Sequence, residues 1–272
     1  MEFNKKGILS RAREAQKSTA VMDEGLRAYM LKVYNFMASG ILLTGLVSLI
    51  FFKLSVVTDA NGSIVALTNI GNTIFLSGFK WVVMLAPLAV VFYMSARMGK
   101  MSVASAQTTF WIFASLMGLS LSSIFLVYTG ASITRVFFIT SITFGSMSLY
   151  GYTTKRDLTK LGSFLMMGLI GIIIASLVNL FLKSSMMDFV ISILGVLIFV
   201  GLTAYDTPNI KTMYAFSASV AMMIKTAVMA ALTLYLDFIN LFIMFLRSVS
   251  SPPLRSHETD FSLILRPFLA PK

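Results

Sequence analysis

Two aspartates stand in stretches of this chain that are otherwise apolar. Asp206 falls in Thr203-Ala-Tyr-Asp-Thr-Pro208, and Asp237 sits in the middle of the run from Ala230 to Leu246, which is long enough to cross a membrane. An ionised Asp near the bilayer centre costs at least ~3 kcal/mol on insertion scales, so such residues usually face a water-filled cavity, a proton partner or a bound cation. Facing each other, two carboxylates disfavour double ionisation, share one proton and titrate as a coupled unit. Loss of that proton leaves net negative charge in a low-dielectric cavity, which a hard divalent cation such as calcium or a nearby Arg would neutralise. Paired intramembrane aspartates also support aspartyl proteolysis, in which one carboxylate activates water and the other protonates the scissile carbonyl. Tyr205 adjoins Asp206 and Asn240 lies three residues after Asp237 on the same helical face, so each could donate a hydrogen bond to a carboxylate. The plainer alternatives are that Asp206, near the end of its run, is wetted at the interface, and that Asp237 only fixes helix packing.

These side chains need a scaffold, and composition says which kind. The 272 residues are 57% hydrophobic and 12% charged, with several apolar stretches near the ~20-residue length that spans a hydrocarbon core. Backbone polar groups in lipid must be satisfied internally, and continuous apolarity without period-2 alternation favours helices over a barrel. The expected class is therefore all-α membrane, with spans at roughly 31–53, 80–98, 107–128, 133–152, 162–182, 187–206 and 227–246. Turn residues in Thr58-Asp-Ala-Asn-Gly-Ser63 and Asn69-Ile-Gly-Asn-Thr73 mark the one sizeable connection, where Ile64 to Leu67 and Ile74 to Leu76 are apolar enough to dip into the interface. Small residues on the spans (Ser115, Gly118, Ser122, Gly168, Gly171, Gly195, Gly201) read as helix-packing positions rather than ion ligands.

The chain divides into a basic N-terminal tail at 1–30, a transmembrane domain at 31–247 and a polar, basic tail at 248–272. With no Cys, and His257 as the only His, disulfides, thiolate metal sites and cysteine nucleophiles are excluded and zinc lacks its usual ligands. The net charge of +11 belongs to the ends of apolar runs, which points to membrane topology and not to nucleic acid. Lys5, Lys6, Arg11, Arg13, Lys17, Arg27, Lys32, Arg97, Lys100, Lys155, Arg156, Lys160, Lys211 and Lys225 fall on one side, and Lys53, Lys80, Arg135 and Lys183 on the other. Fourteen against four puts the N-terminus in the cytoplasm. Arg247, Arg255, Arg266 and Lys272 follow the last span on what seven crossings would make the outer side, so that segment either spans or is re-entrant.

Three stretches together resemble the Bax inhibitor (transmembrane Bax inhibitor motif) family, in its bacterial branch. They are Gly151-Tyr-Thr-Thr-Lys-Arg-Asp-Leu158, Gly201-Leu-Thr-Ala-Tyr-Asp-Thr-Pro-Asn-Ile-Lys211 and Leu234-Tyr-Leu-Asp-Phe-Ile-Asn-Leu-Phe242. The likeness runs from about residue 31 to residue 247, and departs from the family pattern at 214–223 and after Ser248. It implies a seven-helix bundle with the last helix central, in a bacterial inner membrane, and a pH-sensitive calcium leak with Asp206 and Asp237 as the family's aspartate pair. A basic latch at the end of the second span maps to Arg97 or Lys100. The resemblance also implies, as an alternative, a regulator that binds a membrane-anchored protease or another membrane protein. An enzyme is not expected: the second motif of intramembrane aspartyl proteases is Gly-x-Gly-Asp, whereas Leu234-Tyr-Leu-Asp237 puts bulk where a substrate backbone must approach. No resident cofactor is implied, calcium being the ion moved or bound.

Overall fold

A computed structural model describes residues 2–60, 63–154, 156–217 and 219–250, with side chains from residue 24 to residue 249. Seven of its helices are long and apolar enough to cross a membrane. They are α1 (Glu2–Ser55), α2 (Phe79–Arg97), α3 (Val103–Leu121), α4 (Gly130–Thr153), α5 (Thr159–Leu182), α6 (Ser185–Ala215) and α7 (Val220–Ser250). Helix starts follow the polar residues that precede the apolar runs. Ser102, Thr129 and Ser184 each accept a hydrogen bond from a backbone N–H three residues on, which satisfies a first-turn donor of α3, α4 and α6. Lys183, in the left-handed region at φ 52°, ends α5.

The sequence-derived spans agree with these helices in number and order, and differ at their ends. Most notably, α6 does not stop at Asp206 but continues through Pro208 to Ala215. Pro208 removes one backbone bond, to the carbonyl of Ala204, which a helix inside a packed bundle tolerates. On α4, Gly151 packs directly against that same carbonyl, so closely that an added Cβ would lie 2.5 Å from its oxygen. The connection after α1 is more ordered than its turn residues suggest. Val56–Thr58 (β1) and Ile64–Leu67 (β2) form a short antiparallel hairpin pairing Val56 with Leu67 and Val57 with Ala66, and two short helical turns follow at Asn69–Gly71 and Asn72–Leu76.

Helix α7 is the axis of the bundle. Within its spanning segment 61% is buried, against 33% for α6, the next most enclosed. It packs on α1, α3, α4 and α6, while α2 leans on α3 and α5 on α6. The core around it joins Tyr29 and Val33 of α1, Phe110 and Phe113 of α3, Phe144 of α4 and Leu234, Tyr235 and Leu241 of α7. The last segment, a continuous 31-residue helix, is long and apolar enough to cross outright. Its far end is anchored by an ion pair between Arg247 and Asp188 at the start of α6, so Arg247 carries a local counter-ion there. The other basic residues of the C-terminal tail, and His257, lie outside the described residues, as does Lys155.

Most of the small residues on the spans do serve packing; Gly171 does not, since a Cβ added there meets nothing within 4 Å. Gly118 faces the Thr44 carbonyl and Val47 on α1, Gly162 takes the ring of Tyr205, and Gly201 takes Leu165. Ser115 and Ser122 donate to carbonyls of their own helix and keep no proton for another partner.

Candidate functional site

Antiparallel packing of α6 on α7, the most extensive helix pair in the bundle, sets Asp206 against Asp237. Their carboxyl groups lie close enough to interact directly. Asp237 is 5% exposed, and its Oδ2 atom finds no donor among the described residues. Asp206 is half-buried and takes a hydrogen bond from the Asn209 side chain, one helical turn on. Two unit charges at such separation repel by on the order of 4 kcal/mol even at an effective dielectric near 20. A pair in this position is therefore a place to hold one proton between two carboxyls, or to present their charge to a cation.

Hydrogen bonds and ring contacts tie the walls of the site to neighbouring helices. Tyr235, two residues before Asp237, bonds through its hydroxyl to Thr44 Oγ1 at 2.7 Å, and Thr44 in turn donates to the Ala114 carbonyl at 2.8 Å, which ties α7 to α1 and α3. Phe238 on the next position packs edge-on against Phe137 and Phe144 of α4. A directed hydroxyl chain reaches the residue after Asp206. Thr207 Oγ1 donates to the Thr203 carbonyl at 2.9 Å, so it accepts from Ser148 Oγ at 3.2 Å, and Ser148 accepts from the hydroxyl of Tyr34. Helices α1, α4 and α6 are thus linked beside the aspartate pair.

Of the residues singled out in the sequence, Asp206 and Asp237 are brought together. Tyr205 lies against Gly162 of α5, and among the described residues neither it nor Asn240 donates to either aspartate. Arg97 ends α2 and Lys100 lies in the short turn after it, and both are exposed. Neither forms an ion pair with Asp206 or Asp237 among the described residues. That end of α2 is nonetheless tethered to α7, through Lys225 Nζ donating to the Gly99 carbonyl at 3.3 Å. Asn209 was missed, although its spacing of three from Asp206 on one helix was signal enough. The hydroxyl chain left no such signal, because its partners are 59 and 114 residues apart. Asp157 accepts from the N–H and the hydroxyl of Thr159 at 2.9 and 2.6 Å, because a short acidic side chain two residues before a helix reaches its first-turn donors.

Comparison with known proteins decides the family. The model of the family described as inhibitor of apoptosis-promoting Bax1 matches residues 26–252. The chain belongs to this Bax inhibitor family. Relatives include an uncharacterized protein of Rickettsia prowazekii, 50% identical over 83% of this chain and 90% of its own length. Inner membrane protein YbhL of Escherichia coli is 45% identical over 82% of this chain and 91% of its own. An uncharacterized membrane protein of Streptococcus pyogenes is 37% identical over 83% and 93%. The Bax inhibitor match covers all seven helices from Leu26 onward, including both aspartates and the network that supports them.

Proposed function

We propose that this Bax inhibitor family protein is a pH-sensitive calcium leak in a bacterial inner membrane, governed by a proton shared between Asp206 and Asp237. The observation that carries the reading is the close approach of two acidic side chains on adjacent, centrally packed helices, with one oxygen of Asp237 lacking a protein donor among the described residues. With the proton in place the pair bears one negative charge. Without it, the second charge must be met by a cation, either calcium as the transported ion or a basic side chain. Two carboxyls supply at most four of the six to eight oxygens calcium takes, so a passing ion keeps part of its water, as suits a transported ion rather than a resident one.

Arg97 and Lys100 are the basic candidates at the α2 end, and the Lys225 tether to Gly99 couples that end to α7. In the proposed gate, ionisation of the pair draws one of these cations inward and seals the cytoplasmic end of the bundle. Each state is one arrangement of α2 on α3 and α7, and protonation shifts the population between them. Residues 1–30 form the cytoplasmic tail of this scheme and 248–272 the outer one, an orientation supported by the fourteen-to-four distribution of basic residues. The inner-membrane assignment is supported by the name of the Escherichia coli relative. Burial of Leu234 and Tyr235, three and two residues before Asp237, supports transport over proteolysis, since it leaves a substrate backbone no room to approach there.

The test is calcium flux into proteoliposomes from pH 5 to pH 8 for the wild type, Asp206→Asn and Asp237→Asn. A leak that follows pH in the wild type and loses that dependence in both variants is expected. No leak, or a pH profile that survives both substitutions, rejects the gate.

A further inference from the structure

Helices α1 and α4 flank α7 without packing closely on each other, and a groove of about 500 Å³ lies between them. Its walls are Met30, Leu31, Met37 and Ala38 on one side and Phe144 and Leu149 on the other. The volume falls in the range of built ligand sites, roughly 300–1,000 Å³. Gly145 lines the groove, and unlike Gly118 or Gly151 it serves no helix contact: a Cβ added there meets nothing within 4 Å. The absent side chain leaves room in the groove.

Polarity along the groove is sharply divided. Of the three hydroxyls in its wall, those of Tyr34 and Ser148 have their protons committed to the chain that ends on Thr203 and offer a ligand no free donor, and the third, that of Tyr152, belongs to the Arg27 end. The inner part therefore suits hydrocarbon. A cation stands at one end. Arg27 lines the groove there and is exposed, and the neighbouring wall residue Tyr152 engages Lys211, whose ammonium sits 4.7 Å from the ring centroid and donates to the Tyr152 carbonyl at 2.7 Å. From Arg27 to Ala38 is eleven residues of one helix, about 16 Å at 1.5 Å per residue, enough for most of one acyl chain.

We infer that the groove between α1 and α4 is a binding site for an anionic phospholipid, one acyl chain lying along Met30, Met37, Phe144 and Gly145 and the phosphate held at one end by Arg27. The inference is independent of the ion-leak reading, since it concerns binding alone. It is tested on the full chain purified in detergent by native mass spectrometry, with phosphatidylglycerol or phosphatidylcholine of identical acyl chains. Wild type is expected to retain phosphatidylglycerol over phosphatidylcholine by roughly fivefold, the factor one interfacial Arg or Lys contributes toward an anionic headgroup. Arg27→Gln brings the ratio toward one, and Gly145→Phe, which fills the groove, lowers retention of both lipids severalfold. Arg27 is exposed and a Cβ at Gly145 meets open space, so neither variant lowers the Tm, and Gly145→Phe raises it slightly through helix propensity. Equal retention of the two lipids by wild type overturns the site. A full ratio in Arg27→Gln overturns the phosphate assignment, and unchanged retention in Gly145→Phe overturns the groove.

Discussion

Gly145 and Gly151 lie six residues apart on α4, and the same substitution at each should have opposite effects. At Gly145 an Ala side chain meets open space, so the change contributes only the helix-propensity gain of about 1 kcal/mol. At Gly151 the new Cβ would sit 2.5 Å from the Ala204 oxygen and 3.0 Å from the Thr207 Cβ. Reaching an ordinary contact of 3.4 Å requires α4 to back away from α6 by about 0.9 Å, the difference 3.4 − 2.5 Å, next to Asp206. Overpacking of this kind costs roughly 1–3 kcal/mol. The propensity gain is common to both sites and cancels, which leaves that same 1–3 kcal/mol between the two variants. Thermal unfolding in one detergent should place Gly145→Ala above Gly151→Ala by roughly 2–12 °C. Equal melting temperatures, or a more stable Gly151→Ala, would refute the close approach of α4 to the Pro208-freed carbonyl. Gly151→Ala should also disturb any function of the aspartate pair, because the Ser148 to Thr207 bond spans the same contact.

Three further outcomes follow from single contacts. A double-mutant cycle on Arg247 and Asp188, both partly exposed, should give a coupling of about 0.5–1 kcal/mol that shrinks with added salt; zero coupling in low salt removes the ion pair as the anchor of α7. Tyr235→Phe leaves Thr44 bonded to the Ala114 carbonyl but strips the buried hydroxyl of its donor, costing about 1 kcal/mol in an unfolding titration; no loss would mean the α1 to α7 bond is not formed. Thr159 holds the fully exposed Asp157 carboxyl below its usual range, chiefly through its side-chain hydroxyl. Because the folded value is depressed, the contribution is complete above the ordinary carboxylate pKa of about 3.9 and fades as pH falls through the folded one. Hydrogen exchange at the Thr159 amide, corrected for intrinsic rate, should therefore stay slow at neutral pH and rise in acid, whereas Asp157→Ala should show the faster rate throughout.

Much of this architecture is legible in the sequence because lipid imposes it. Each apolar run near 20 residues had to be a helix, and an Asp inside the seventh had to face protein rather than acyl chains. What could not be read depended on contacts far apart in the chain. Pro208 looks like a terminator, yet α6 passes through it because the surrounding bundle, including Gly151, packs against the carbonyl it frees. The hairpin at Val56–Thr58 and Ile64–Leu67 hides in a segment whose turn residues suggest only a loop. Asp206 with Asp237 is a pairing that two isolated acidic positions make thinkable, but helix rotation decides it. By contrast, Arg97 and Lys100 carry a role through family likeness, and their exposure leaves that role to the proposed movement of α2. Gly145 is the reverse of the usual lesson: a small residue on a span that opens a groove instead of closing a helix contact.

The shared proton itself can be observed. Infrared difference spectroscopy of the protein in lipid, titrated over pH 5 to 8, reads the carboxylic C=O band of an embedded acid directly. One such band is expected, lost in a single step, whose midpoint moves when either Asp206 or Asp237 is replaced by Asn, because each carboxyl titrates in the field of the other. A band that is absent across the range, or a midpoint that one aspartate keeps unchanged when the other is removed, would contradict the shared proton.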